Sequence, residues 1–349
     1  MDNNKYYPMN AAELLDMVLD IYKKSFIKQI AVTMIFNMIF PMIMYLVILV
    51  GGVGLVVSFG ASMAAYNDPG DMILANLPMI IMFIAFIAVL VVIYQALTVT
   101  GSSIITKQTF LNEPVDIGSV LKQTLKKIIV ASTAGLANTI LMLPLLAIMG
   151  VFIYFYINMI MQMVEYNSAP ATLTIITTIG IFVLMSVVSI IYYAITMFSI
   201  AVAVFENKYF FKAAKKSFQL IKPDFWKMIG LVTIWSLITF AVSYSFSGIF
   251  NLGAIFGEWI LPQEAAAAVS VLSMTLGYIV SMTISILMMP LSGIFSTLLY
   301  INQRFKHEGL DIDLNLNNIN NQRIRKYYAD MAKRMPTPYP YGYYPGPRQ

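Results

Sequence analysis

Cysteine is absent from the 349 residues, and histidine occurs once, at His307. Without a thiol there is no disulfide framework, thiolate nucleophile or cysteine-built metal site. A single histidine cannot complete a typical zinc site, and no cofactor is expected. Charge is scarce too: Asp, Glu, Lys and Arg make up 11% of the chain, against about one quarter in soluble domains. The scarcity is uneven. No ionisable Asp, Glu, Lys, Arg or His falls within six apolar stretches, about residues 29–59, 77–105, 128–163, 171–205, 228–257 and 267–302. Proton relays and many ion-coupled carriers keep such groups at membrane depth, so their lack counts against a proton- or ion-coupled pump. A Gly-rich phosphate-binding loop is also missing, which argues against an intrinsic ATPase motor.

What is there is apolar: 59% of the residues are hydrophobic. Each stretch supplies the roughly 20 apolar residues that a membrane-spanning helix needs. The connections after the first, third and fifth stretches carry no Lys or Arg. The N-terminus, the other two connections and the C-terminal part hold all 22. Lys and Arg stay in cytoplasmic loops because translocating them is costly. The reading is an all-α integral membrane protein with six transmembrane helices and both termini in the cytoplasm. The first span is expected to act as an uncleaved insertion signal, since it is too long for a signal-peptide core. The net charge of +5 then reflects topology and anionic lipid head groups, and nucleic acid is not an expected partner.

Three basic segments align without a gap: Tyr22–Ile30, Leu121–Ile129 and Ile221–Ile229. They share the pattern apolar-Lys-x-x-(Phe/Leu)-x-Lys-x-Ile, at spacings of 99 and 100 residues. Lys23, Lys122 and Lys222 fall at one equivalent place, and Lys28, Lys127 and Lys227 at another. Basic approaches to membrane spans resemble one another by chance as well, but a regular spacing with a shared pattern is the mark of an internal repeat. The unit would be an amphipathic lead-in helix followed by a helical hairpin, with units at about 11–110, 111–208 and 209–310. Asn10 with Glu13 reads as a capping box for the first lead-in helix, within a cytoplasmic segment 1–28. Its apolar face is Leu14, Val18, Ile21 and Tyr22, while Asp16, Asp20, Lys23 and Lys24 face water. Asp116 can cap the second, whose apolar residues are Ile117, Val120, Leu121 and Leu125. The third has the stripe Phe211, Ala214, Phe218 and Ile221, and Pro223 should end it. These helices either lie flat in the membrane interface or pack beneath the bundle.

The membrane domain is assigned to 29–302. Residues 303–334 form a basic cytoplasmic segment. Residues 335–349, rich in Pro, Tyr and Gly, read as a disordered tail of polyproline character, either solvated or a ligand for a partner's aromatic groove. Inside the spans, Asn37, Gln95, Asn138, Asn158 and Gln162 are polar, as are Ser186, Ser189, Ser243, Ser245, Ser281 and Ser285. They either tie helices together or line a path for a substrate. Pro41, Pro144 and Pro290 fall within spans and kink them. Trp226 and Trp259, at opposite ends of the fifth span, suit the two aromatic belts of a membrane. Glu206 and Arg304 mark the exits of spans four and six. Together with the six repeat lysines they form a possible cytoplasmic interface.

Two stretches carry a family resemblance. One is Ala203–Asn207 with Ala213–Phe218 and Pro223–Lys227; the other is Leu299–Asp311. Together they resemble the membrane domain attached to some bacterial glycerophosphoryl diester phosphodiesterases, and related stand-alone six-span proteins. The resemblance implies the fold and a bacterial cytoplasmic membrane location. It does not bring the phosphodiesterase chemistry, which resides in a separate barrel of about 250 residues and uses a histidine pair with metal-binding carboxylates. The leading expectation is a non-catalytic multipass protein, a scaffold or auxiliary subunit of a membrane assembly, touching lipid and a possible protein partner. The alternative is a transporter or permease component for a lipid-like or amphipathic substrate. A polar chamber among the spans favours the second, and a filled centre the first.

Overall fold

The computed structural model describes residues 6–66, 68–166, 171–260, 262–317, 319, 320 and 323. The tail 335–349 lies outside them, as do residues 318, 321, 322 and 324–334 of the basic segment 303–334 and the side chain of Gln162. Every regular element among the described residues is helical: α1 Ala11–Ala65, α2 Pro69–Phe110, α3 Ile117–Tyr166, α4 Ala171–Thr196, α5 Ser199–Glu206, α6 Phe211–Ile221, α7 Phe225–Ile260 and α8 Gln263–Glu308. A 3-10 turn, Lys222–Asp224, lies between α6 and α7. Six helical stretches are long and apolar enough to cross a membrane. The result is a packed all-α bundle consistent with a multi-span membrane protein.

Helix boundaries follow local chemistry. Asn10 and Glu13 form the expected capping box, the side chain of each accepting the other's backbone N–H at 2.9 and 3.0 Å. Asp68 caps α2 and Pro69 occupies its first turn, where a missing N–H costs nothing. Asp116 accepts from Ser119 N–H at 2.8 Å at the start of α3. Left-handed residues stand just beyond α2, α5 and α8: Asn112 at φ 55°, Asn207 at φ 53° and Gly309 at φ 67°. Asn and Gly are the residue types that adopt this conformation most readily.

Three expectations need correction. The lead-in segment 1–28 is not a separate helix, because α1 runs unbroken from residue 11 to 65. Nothing between Ala11 and Phe40 is Gly or Pro, so no signal stops it. At 1.5 Å per residue it is about 80 Å long, far beyond the roughly 30 Å hydrocarbon core. The second lead-in is likewise the start of α3; only the third is separate, where the chain turns at Lys222-Pro223-Asp224. The apolar faces also differ in detail. Leu125 is exposed and Thr124 buried. In α6 the buried face is Ala213, Ala214, Ser217, Leu220 and Ile221, while Phe211 and Phe218 are exposed. Small side chains let the backbone approach closely, and the Ser217 hydroxyl donates to the Ile195 carbonyl at 2.7 Å. Finally, the fourth stretch is not one helix: it breaks between α4 and α5 at Met197-Phe198.

Contacts divide the chain into two compact units, Met1–Met9 with Ile301–Gln349, and Asn10–Tyr300. In the first, two asparagines grip the N-terminal segment by its backbone. Asn302 accepts from Met9 N–H at 2.7 Å and donates to its carbonyl at 3.0 Å. Asn315 does the same with Tyr6, at 2.9 and 2.7 Å. In the second unit the buried side chains gather toward the lysine-bearing helix ends. Aligned positions flanking the three basic segments share this burial: Ile21, Val120 and Leu220 before them, then Val32, Ala131 and Leu231 after them.

Candidate functional site

The basic residues singled out from the sequence do not form a site with converging side chains. Lys23, Lys122, Lys222 and Lys227 are exposed, and Lys28 and Lys127 half-buried. Lys127 donates to the Asn207 side chain, and Lys227 lies 3.7 Å from Asp224. Arg304 pairs with Glu308 at 2.6 Å. Glu206 is the exception, with its side chain only 15% exposed. It accepts from Lys208 and from the Tyr300 hydroxyl, both at 2.8 Å. The Tyr300 ring stacks on Phe205, over which Lys107 sits 5.1 Å from the ring centre. This cluster joins α2, α5 and α8 and reads as a structural tie. Trp226 and Trp259 are 78% and 84% exposed. Their separation along α7 is about 50 Å, close to the roughly 40–45 Å of a bilayer with its head groups.

The centre of the bundle is not filled. A cavity of about 660 Å³ is lined by α1, α2, α3, α4, α5, α7 and α8. Its polar lining includes Thr33, Gln95, Thr98, Ser102, Asn138, Tyr192, Thr196, Ser236, Thr239 and Ser296. No charged residue is among its lining residues. A second cavity of about 730 Å³ is lined by Asn37, Tyr94, Ser243 and Ser285 together with Met34, Met38, Met282 and Met288. Thr239, Met289 and Ser292 line both, so the two are adjacent and share a wall.

The lining is set by helix irregularities. Where α4 ends, the Thr196 carbonyl is released from the regular ladder. It accepts from the Ser199 hydroxyl and from Asn138 Nδ2 at 3.5 Å. Asn138 Nδ2 also donates to Ser199 Oγ at 2.6 Å, and the Tyr192 hydroxyl donates to the Asn138 carbonyl. Backbone groups freed inside a membrane are expected to be re-satisfied in this way by neighbouring helices. Pro290, also on the lining, cannot donate to the helix ladder; Ser102 Oγ donates to its carbonyl at 3.2 Å, and the Tyr22 hydroxyl donates to the Leu287 carbonyl at 2.8 Å. Nearby, Tyr94 donates to Asn37 Oδ1 at 2.5 Å.

Two residues of the lining each carry a buried polar atom with no hydrogen-bond partner among the described residues: Trp235 at Nε1 and Asn138 at Oδ1. Trp235 is 6% exposed, its ring stacked on Phe295 at 4.5 Å and 6°.

Of the polar residues picked from the sequence, Asn37, Gln95, Asn138, Ser243 and Ser285 reach the cavities. Asn158, Ser186 and Ser245 are spent on carbonyls of their own helices. Sequence reasoning missed Trp235, although a signal was present: tryptophan favours the ends of membrane spans, and this one lies ten residues inside α7. It also missed Ser102, Thr196, Ser236 and Ser296, which look like any other small polar residue until the helices are placed.

The bundle and its chamber define a multi-span helical membrane protein of unassigned chemistry. No family model, curated protein or solved structure matches the chain. The resemblance to the phosphodiesterase-associated membrane domain therefore rests on the short motifs alone.

Proposed function

We propose that the chain is a non-catalytic membrane protein that takes up an amphipathic or lipid-like molecule between its spans, as a transporter or permease component. The observation that carries this reading is the polar, uncharged chamber beside the interrupted helix α4–α5. Membrane carriers build substrate sites at discontinuous helices, where irregular backbone lines a cavity. The adjacent methionine-lined cavity offers room for an apolar chain. Amides, hydroxyls and an indole are groups that hold a ligand by hydrogen bonding.

The finer topology belongs to this proposal. Three parallel units are supported by the shared burial of aligned positions and by a left-handed residue after each of α2, α5 and α8. Both termini in the cytoplasm of a bacterial cell follow from the one-sided Lys and Arg and the family resemblance. The exposed lysines at the starts of α1, α3 and α6 would meet anionic head groups there. They also keep a scaffold role open as a second reading, with a protein docking on that face.

The test uses the three tryptophans. A Trp226→Phe, Trp259→Phe protein retains only Trp235, on the chamber wall. In nanodiscs, lipids with brominated chains are expected to quench its fluorescence saturably. Fluorescence unaffected by any brominated amphipath, while Trp259 in the unmutated chain is quenched, would count against an amphipath in the chamber and favour the scaffold.

A further inference from the structure

We infer that the chamber selects an uncharged, hydroxyl-bearing headgroup, held by Trp235 and Asn138, with its apolar chain in the methionine-lined cavity. The inference rests on the amphipath reading above and adds the class of molecule. Trp235 Nε1 is a donor only, and Asn138 Oδ1 an acceptor only. Both are buried and unpartnered among the described residues. The Asn138 amide turns Nδ2 toward the Thr196 carbonyl, which can only accept, and Oδ1 is left for another molecule. Leaving such atoms unmade is costly. A hydroxyl both accepts and donates, so a headgroup bearing hydroxyls carries a partner for each atom.

Charge decides against the alternatives. No ionised side chain lines the chamber, and an anionic phosphate or an ammonium group would sit there uncompensated, at high cost. A diol or a sugar ring carries no such penalty. The chain then has its own place, since Thr239, Met289 and Ser292 border both cavities. Beyond them Met34, Met38 and Met282 offer flexible, polarizable side chains that adapt to different acyl shapes. A free polyol has the same headgroup chemistry as a neutral glycerolipid, so the experiment must separate these sources.

The Trp226→Phe, Trp259→Phe protein in phosphatidylcholine nanodiscs is titrated with brominated diacylglycerol, with brominated phosphatidylglycerol, and with glycerol in solution. Diacylglycerol is expected to quench Trp235 at mole fractions about tenfold below phosphatidylglycerol. Equal quenching by both lipids overturns the selectivity and leaves the amphipath reading standing. Quenching by neither overturns both, unless glycerol alone shifts the emission; that result assigns the headgroup to a soluble polyol and overturns the lipid source. A second variant, Trp235→Phe, keeps the ring stacked on Phe295 and removes only the N–H. Native mass spectrometry should show its diacylglycerol retention weakened about three- to tenfold, the worth of one hydrogen bond, with phosphatidylglycerol retention unchanged. Retention equal to that of the unmutated chain overturns the assigned contact.

Discussion

The two halves of each long helix differ in what their side chains meet. Toward the lysine-bearing ends, Leu14 to Phe36 of α1, Val92 to Thr106 of α2 and Leu291 to Tyr300 of α8 supply buried residues at helical spacing. Toward the opposite ends, Met42, Val56, Met82, Phe155, Phe182 and Tyr278 are exposed. Hydrophobicity does not mark the packed half, which is the less apolar of the two: in α1 it carries Glu13, Asp16, Asp20, Lys23, Lys24 and Lys28. Lipid tails are as apolar as a protein core, so burial between membrane helices is driven by packing and hydrogen bonding. The packed half is marked instead by small and polar residues: Ser25, Gln29 and Thr33 on α1, and Thr98, Ser102, Ser103 and Thr106 on α2. Gln29 Nε2, for example, donates to Thr106 Oγ1 at 3.3 Å and to the Ser102 carbonyl at 3.4 Å. Thr297 donates to Ser103 at 2.8 Å. At the opposite ends such a tie recurs at Asn76, which donates to Ser62 at 2.7 Å and also meets Ser58.

The sharpest way to break this comparison is to remove one large ring from each half. Phe198 is fully buried and packs edge-on against Tyr300. Phe198→Ala should cost about 3–5 kcal/mol through lost contacts and a residual cavity. Phe182 is 71% exposed, and Phe182→Ala should stay within about 0.5 kcal/mol. Reversible unfolding in mixed micelles measures both. Similar losses would mean that the exposed half is held by contacts absent from this arrangement.

Glycine gives a smaller effect with the same logic. A Cβ added at Gly293 would overlap the Ser102 side chain, whose own position is fixed by its bond to the Pro290 carbonyl. Gly293→Ala should therefore destabilise by about 1–3 kcal/mol. At Gly180 nothing lies within 4 Å of the added carbon, and Gly180→Ala should be neutral or slightly stabilising by helix propensity. The same unfolding measurement separates them, and equal effects would contradict the close α2–α8 approach.

Much of this fold was legible beforehand, because its signals are local. Span number follows from apolar length, and the cap at Asn10 from two residues three apart. The face of Leu14, Val18 and Ile21 follows from periodicity. What escaped depends on tertiary placement. The continuity of α1 through residue 28 was hidden because composition changes there while helix propensity does not. The α4–α5 break has neither Gly nor Pro at Met197-Phe198; the freed Thr196 carbonyl is met by the neighbouring Ser199 and by Asn138 of α3, 58 residues away. The site was half legible. Asn37, Gln95 and Asn138 stood out as amides among apolar neighbours, but a hydroxyl that lines a chamber and one that bonds its own helix look alike in sequence. The clasp of Asn302 and Asn315 on residues 6–9 joins positions about 300 apart, beyond any local pattern.

The smallest expected effect concerns the residues that make the sequence so readable, the one-sided lysines. Lys24 pairs with Asp20 one turn earlier at 2.7 Å, with both side chains roughly half exposed. The acidic partner precedes the basic one, the favourable order on a helix, and such a pair contributes about 0.2–0.5 kcal/mol. Lys24→Gln should reduce stability by no more than this, against several kcal/mol for Phe198→Ala. The difference should also fade near 1 M salt, where the screening length falls to about 3 Å, whereas the loss at Phe198 should persist. A salt-independent cost of several kcal/mol at Lys24 would place the lysine-bearing surface among the determinants of packing. A small, screened cost leaves those lysines free to direct insertion and to meet charged head groups, which a packed interior could not spare them to do.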